Sequence, residues 1–150
     1  MTGIILRSVD QSMRVNIPKS FLMEEWGNDY SGQPVYISTE GFDVSTPQGL
    51  TVFSETAFAR HNDELMELAK DDSYRMHCSD VGFERVIIDN RGRITLPGRL
   101  ACIVSICKET SVYCIGVDDH FEIWNKSVWD QIEAPATIEE IVAFFQDMSI

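Results

Sequence analysis

The chain has few cations for its acidic content: twelve Lys and Arg stand against twenty-four Asp and Glu among 150 residues, so the net charge is −12. Such a balance, taken over the whole chain, argues against nucleic-acid binding. No apolar run is long enough to cross a bilayer, and the initial MTGIILR reaches a charged residue too early for a secretory signal. We therefore expect a cytoplasmic protein without membrane contact.

Cysteine is also scarce, and no two cysteines have the C-x-x-C spacing of metal or redox sites. The four are Cys78, Cys102, Cys107 and Cys114. This spacing favours buried free thiols. A zinc site using His77, Cys78 and two further ligands is the alternative, although structural zinc sites usually show closely paired ligands. No metal is therefore predicted.

Catalytic motifs are missing as well. The sequence contains no phosphate-binding loop, metalloprotease helix or nucleophile elbow, and its three histidines are isolated from one another. Carboxylate pairs such as 118–119 and 139–140 have no base or nucleophile at a telling spacing. We predict no catalytic residue, no cofactor and no small-molecule substrate, and we do not expect an enzyme.

The most informative stretch that is present is residues 85–100, RVIIDNRGRITLPGRL. Residues 86–88 and 94–96 favour two short strands, and 90–92 supply turn residues between them. Gly92 can adopt a positive φ at little cost, and Pro97 suits the first position of a helix. Arg91 and Arg93 bracket the turn. The pattern predicts a hairpin whose tip presents two guanidinium groups and could enter a DNA groove.

The same pattern occurs earlier, in residues 8–22. A constant offset of 79 residues aligns Asp10 with Asp89, Arg14 with Arg93 and Pro18 with Pro97. A second match, at an offset of 71, aligns Phe53 with Trp124 and Phe58 with Trp129. The duplication predicts a first repeat over residues 1–70 with longer loops, a connector over 71–84, and a second repeat over 85–150 that ends in a helical tail.

The cations are concentrated in the two repeated windows. Residues 7–19 have a net charge of +2 and residues 85–99 have +3, which leaves −17 for the rest of the chain. A basic edge on an acidic body would bind a phosphate backbone in one orientation and repel it elsewhere. The total charge argues against nucleic-acid binding, but the distribution of charge along the chain allows it.

The second repeat carries a family signature in the order Asp89, Arg91, Gly92, Arg93, Leu96, Pro97, Leu100, then FEIW at 121–124 and Trp129. This order resembles MraZ, the tandem-repeat member of the AbrB-like DNA-binding proteins, and the likeness covers nearly the whole chain. It implies an α+β, mainly β fold in which two swapped-hairpin, double-split β-barrel halves form a pseudo-dimer within one chain. It also implies a nucleoid-associated, sequence-specific transcriptional regulator. The resemblance further implies assembly into homo-oligomeric rings. It implies double-stranded DNA targets as well, namely short direct repeats upstream of an operon of division and cell-wall genes.

The first repeat departs from the family turn, which is usually Asp-x-Lys-Gly-Arg. Ser12 and Met13 stand where lysine and glycine are expected, while Arg14 is kept. If Met13 adopted the backbone angles of a glycine, the cost would be about 1 kcal/mol or more. We therefore expect a reshaped turn in this repeat.

Two groups of candidate functional residues follow. The predicted DNA contacts are Gln11, Arg14, Lys19, Asn90, Arg91, Arg93 and Arg99. Arginine would bind phosphates or a guanine edge, and the amides of Gln11 and Asn90 are weaker candidates for base contact. The residues expected to shape the turns are Asp10, Pro18, Asp89, Gly92 and Pro97. The two tryptophans, Trp124 and Trp129, could stack on a ligand, but core packing is favoured.

Other functions stay open at this point. Arginines in a turn are commonly only solvated. An oligomeric scaffold of the same fold that has lost DNA binding would fit the altered first turn and the charge of −12. The antitoxin role of shorter AbrB-like proteins is a third possibility, against which the duplicated length counts.

Overall fold

The computed structural model describes residues 1–39, 47–61 and 83–133. Its strands are β1 (Ile4–Ser8), β2 (Arg14–Asn16), β3 (Pro34–Ser38), β4 (Leu50–Ser54), β5 (Phe83–Ile87), β6 (Arg93–Thr95), β7 (Ser111–Val117) and β8 (His120–Asn125). Its α-helices are α1 (Lys19–Glu25), α2 (Glu55–His61), α3 (Gly98–Ile103) and α4 (Lys126–Glu133), and a 3-10 helix spans Gly27–Asp29. The predicted α+β, mainly β class is confirmed. No helix in these ranges is long and apolar enough to cross a membrane.

One six-stranded sheet, of order β1-β7-β8-β4-β3-β5, contains three strands from each half of the chain, and each edge strand lies next to a strand of the other half. The edge strand β1 pairs with β7, and the opposite edge strand β5 pairs in the same antiparallel way with β3. At the centre, β4 pairs with β8. Strands β2 and β6 form a separate two-stranded sheet. Within the ranges given above, the sheets form no closed barrel.

The hairpins predicted at the two turns are wrong in their strand pairing. β1 and β2 flank the first turn, yet β1 pairs with β7 and β2 with β6. Each turn is closed by a single hydrogen bond at its mouth, 2.9 Å from Asp10 N to Arg14 O and 2.9 Å from Asp89 N to Arg93 O. Beyond that bond the strands diverge because β1 and β5 pair within the six-stranded sheet, whereas β2 and β6 pair with each other. The tip of each turn is therefore held by two sheets instead of one.

A single large apolar core joins both sheets to α1 and α3. Val15 and Ile94 contribute from the two-stranded sheet, Phe21 from α1 and Leu100 from α3, and all are buried. Each such side chain stabilises the fold by about 1.5–3 kcal/mol when fully buried. The two-stranded sheet is thereby fixed against the body of the protein by its apolar side.

A second, smaller cluster consists of Tyr36, Phe58 and Phe83. Tyr36 and Phe58 stack at 4.5 Å between ring centroids, and Phe58 lies 5.0 Å from Phe83. Strand β5 begins at Phe83, within residues that the sequence assigned to the connector. The ring of Phe83 needs this strand position to reach the other two.

Several expectations about cysteine and tryptophan need correction. Cys114 is buried as predicted, but Cys102 and Cys107 are exposed. Trp124 and Trp129 lie half-buried and contact each other edge to face at 5.1 Å, outside both core clusters. Trp124 lies on β8, where its ring is next to the backbone of Gly49, and Trp129 lies on α4. Cys78, His77 and the predicted helical tail lie outside the described residues.

Candidate nucleic-acid interface

The first turn is built around the carboxylate of Asp10. Its Oδ1 accepts hydrogen bonds from the backbone N of Ser12 at 2.8 Å and of Arg14 at 2.9 Å. Its Oδ2 accepts one from Nε of Arg14 at 2.9 Å. The backbone N of Met13 also donates to Asp10 O at 3.1 Å. Asp10 thus fixes both the turn and the direction of the Arg14 side chain.

The second turn repeats this arrangement bond for bond. Oδ1 of Asp89 accepts from the backbone N of Arg91 and of Arg93, each at 2.9 Å, and Oδ2 accepts from Nε of Arg93 at 2.8 Å. The backbone N of Gly92 donates to Asp89 O at 3.1 Å. Each aspartate binds Nε, and within the described residues the outer Nη atoms of Arg14 and Arg93 have no hydrogen-bond partner.

These bonds also keep both carboxylates ionised. The backbone amide of Arg14 is the largest influence on Asp10, and it lowers the pKa of that carboxyl group. Burial by itself would raise the pKa of Asp89, but the amides of Arg93 and Arg91 and the Arg93 guanidinium together lower it. At neutral pH each arginine is therefore held by a charged partner.

Met13 adopts the backbone angle of a glycine, so the predicted reshaped turn is wrong. Its φ is 62°, against 77° for Gly92 at the equivalent position. The half-buried Met13 side chain packs against the main core, which offsets the cost of about 1 kcal/mol. A Cβ on Gly92 would lie 2.7 Å from Cδ1 of Leu22. Ala101 stands 79 residues beyond Leu22, and this smaller side chain is consistent with the larger residue at position 13.

The pairing of β2 with β6 unites the two turns in one ribbon. Arg14 is opposite Thr95, Val15 opposite Ile94 and Asn16 opposite Arg93. The backbone N of Leu96 donates to Met13 O at 2.8 Å, and that of Ile17 donates to Gly92 O at 2.9 Å. These hydrogen bonds therefore link the two turns directly.

Directly paired residues and residues two apart share one face of a ribbon. Arg14, Asn16, Arg93 and Thr95 consequently lie on the same face, which we call the ribbon face, and Val15 and Ile94 are buried on the other. The side chains of Arg14 and Arg93 are 36% and 20% exposed. Asn16 and Thr95 are exposed, and sequence reasoning missed both. The alternation of polar and apolar residues around Val15 and Ile94 could have indicated them.

The remaining predicted contacts lie in the turns and near the starts of two helices. Asn90 and Arg91 are exposed in the second turn, and Lys19 and Arg99 are exposed near the starts of α1 and α3. Pro18 and Pro97 precede these two helices as their N-cap residues. Gln11 differs from the others because its Nε2 donates to Oε1 of Glu109 at 3.2 Å.

Metal binding finds no support in this region. In the three described ranges, no three His, Cys, Asp or Glu side chains come together as a metal site requires. The histidines that are described, His61 and His120, both lie against the carboxylate of Asp119, at 3.1 Å and 3.0 Å. They belong to α2 and to the start of β8, away from the two turns.

Known proteins resemble this chain over much of its length. A family model described as "MraZ protein, putative antitoxin-like" matches residues 82–144. The transcriptional regulator MraZ of Finegoldia magna is 31% identical, over 83% of this chain and 80% of that protein. Its namesake from a Thermoanaerobacter species is 30% identical, over 100% of this chain and 99% of that protein. The transcriptional regulator MraZ of Mesoplasma florum is 28% identical, over 87% of this chain and 84% of that protein.

Proposed function

The chain belongs to the MraZ family of transcriptional regulators, and from this membership we propose that it binds double-stranded DNA sequence-specifically through the ribbon face and the two turns beside it. The family is one of regulators and not a class of enzymes. The observation that carries the proposal is the pair of arginines, Arg14 and Arg93, on one exposed face. Each is oriented by an aspartate that bonds Nε and does not occupy the Nη atoms.

This geometry suits a phosphate backbone. A guanidinium held at Nε presents its remaining N–H groups as a fixed fork, which matches the oxygens of a phosphate or the O6 and N7 atoms of guanine. Asn16, Asn90 and Thr95 add neutral donors and acceptors that could contact base edges. Since arginine on phosphate sets position and polar contacts to bases set sequence, the ribbon face carries both kinds of group.

The charge of the rest of the chain would restrict how DNA approaches. With a net charge of −12, the chain as a whole repels a duplex, and this repulsion disfavours contacts away from the basic turns. One chain offers few cations, so non-specific binding should be weak, with a Kd of about micromolar or higher. Assembly into a homo-oligomeric ring, as the family resemblance implies, would add avidity by placing several ribbon faces on successive DNA repeats.

The proposal extends to the organisation of the chain. We infer that residues 1–70 and 85–150 are AbrB-like repeats, joined by a connector over 71–84, that exchange strands in a swapped-hairpin, double-split-barrel arrangement. The exchange of β1 onto β7 and of β5 onto β3 supports it. The DNA targets would be short direct repeats upstream of the protein's own operon of division and cell-wall genes, within the nucleoid of the cytoplasm.

The test is a salt titration of DNA affinity. Fluorescence anisotropy with a labelled duplex from the region upstream of the gene should give a steep fall of log K with log salt. Arg14→Ala and Arg93→Ala should each flatten that slope by about 1, the loss of one phosphate contact. The control is Arg60→Ala, which removes an exposed cation on α2 and should leave the slope unchanged. Equal slopes for all four proteins would contradict DNA binding by the ribbon face.

A scaffold without DNA binding is the second candidate, and one observation favours it. The edge strand β1 exposes Ile4 and Leu6, which are 56% and 54% accessible. Exposed apolar side chains on an unpaired sheet edge are typical of a surface that contacts another protein. Weak DNA binding that ignores salt and both arginine substitutions would support this candidate.

A further inference from the structure

The two turns have matching backbones but different neighbours, and the difference is Glu109. The backbone N of Glu109 donates to Val9 O at 2.8 Å, just before the first turn. At the equivalent place beside the second turn, the backbone N of Gly32 donates to Ile88 O at 2.8 Å. Glu109 and Gly32 both have a positive φ, 64° and 83°. The same loop therefore brings a carboxylate to one turn and no side chain to the other.

That carboxylate contacts the first turn directly. Oε1 of Glu109 accepts the hydrogen bond from Nε2 of Gln11 at 3.2 Å. Gln11 aligns with Asn90, whose side chain makes no hydrogen bond to any part of the chain that the structure describes. The amide of the second turn is free to meet a ligand, whereas the amide of the first is already engaged.

The charges around the two turns also favour ligand binding at the second turn over the first. The first turn has one arginine, Arg14, beside two carboxylates, Asp10 and Glu109. The second has two arginines, Arg91 and Arg93, beside the single carboxylate of Asp89. Even if the exposed Lys108 next to Glu109 is counted, the first turn is neutral while the second keeps a net positive charge.

We propose that Glu109 is a specificity-determining residue that makes the two turns unequal on DNA. The second turn anchors a phosphate strongly through its two arginines and presents Asn90 to the bases. The first turn binds weakly because Glu109 engages Gln11 and repels the phosphate that Arg14 would contact. The ribbon face thereby gains a direction along the duplex. This proposal rests on the proposed function of DNA binding.

The experiment is a double-mutant cycle on the full-length chain, with the same duplex and salt series. Glu109→Gln keeps the length of the side chain and its ability to bond Gln11 but removes the charge. It should tighten binding about two- to fivefold, the size of one exposed charge interaction. Arg93→Ala should weaken binding roughly tenfold or more, and Arg14→Ala should weaken it less. The loss from Arg14→Ala should grow in the Glu109→Gln background.

Two further variants control the sign and the fold. Lys108→Gln removes the opposite charge from the same loop and should not tighten binding. Glu109→Gly copies Gly32, tolerates the positive φ and should tighten binding as Glu109→Gln does. Equal losses from Arg14→Ala and Arg93→Ala, together with no effect of Glu109→Gln, would overturn the role of Glu109 while leaving DNA binding intact. A wild-type protein that binds no better than Arg93→Ala would instead overturn the proposed function and this inference with it.

Discussion

Replacing Gly92 with alanine tests the geometry of the second turn. Gly92 has a φ of 77°, where an L-residue costs about 1–2 kcal/mol. The added Cβ would also lie 2.7 Å from Cδ1 of the buried Leu22, and relieving such a contact in a packed core costs about 1–3 kcal/mol. Because the Leu22 methyl group is the flexible end of its side chain, we expect the sum to fall at about 2–4 kcal/mol of lost stability.

Urea unfolding followed by tryptophan fluorescence would measure this loss as a lower midpoint at an unchanged m-value. Gly98→Ala is the matched control, because Gly98 begins α3 and a Cβ there has nothing within 4 Å. That variant should stay within about 0.5 kcal/mol of the wild type. A loss below about 1 kcal/mol for Gly92→Ala would refute both the strain and the contact with Leu22.

Two further predictions concern ionisable groups. The hydrogen bond from His120 is the largest influence on Asp119, and together with the bond from His61 it lowers the pKa of this carboxyl group. The ionised carboxylate therefore stabilises the fold at neutral pH, and this stabilisation is lost as pH falls from about 5 through the lowered pKa. Asp119→Asn should flatten the acid side of the stability curve, and superimposable acid limbs would contradict the role. Burial raises the pKa of Cys114 to about 12, so iodoacetamide at about pH 8 should modify the exposed Cys102 and spare Cys114 until the chain is unfolded. Equal labelling of both thiols in the native protein would contradict the burial.

The turns could be located from the sequence because their interactions are local. Within the described residues, the Asp89 carboxylate bonds to groups two and four residues away, so the spacing of Asp89, Arg91 and Arg93 in the sequence predicts these hydrogen bonds. The partner of β1 could not be found in this way, since it lies more than a hundred residues along the chain and the IILRS segment has no clear alternation. Pairing of this kind depends on which faces the whole sheet buries.

The state of Met13 shows a second limit. Propensity alone favours a different turn because methionine rarely adopts a positive φ. The packing of its side chain on the core and the bonds made by Asp10 together outweigh that preference. The alternation around Val15 and Ile94 indicates that Asn16 and Thr95 are exposed, but only the pairing of β2 with β6 puts them on one face with Arg14 and Arg93. Tertiary contacts decided both cases.

The interleaving of strands from both halves of the chain has a consequence for how the protein unfolds. The neighbour of each edge strand belongs to the other half of the chain. If either half unfolded, the other would be left with unpaired backbone N–H and C=O groups. We therefore expect the protein to unfold in a single cooperative step. Folding should be slow because the paired strands come from distant parts of the chain.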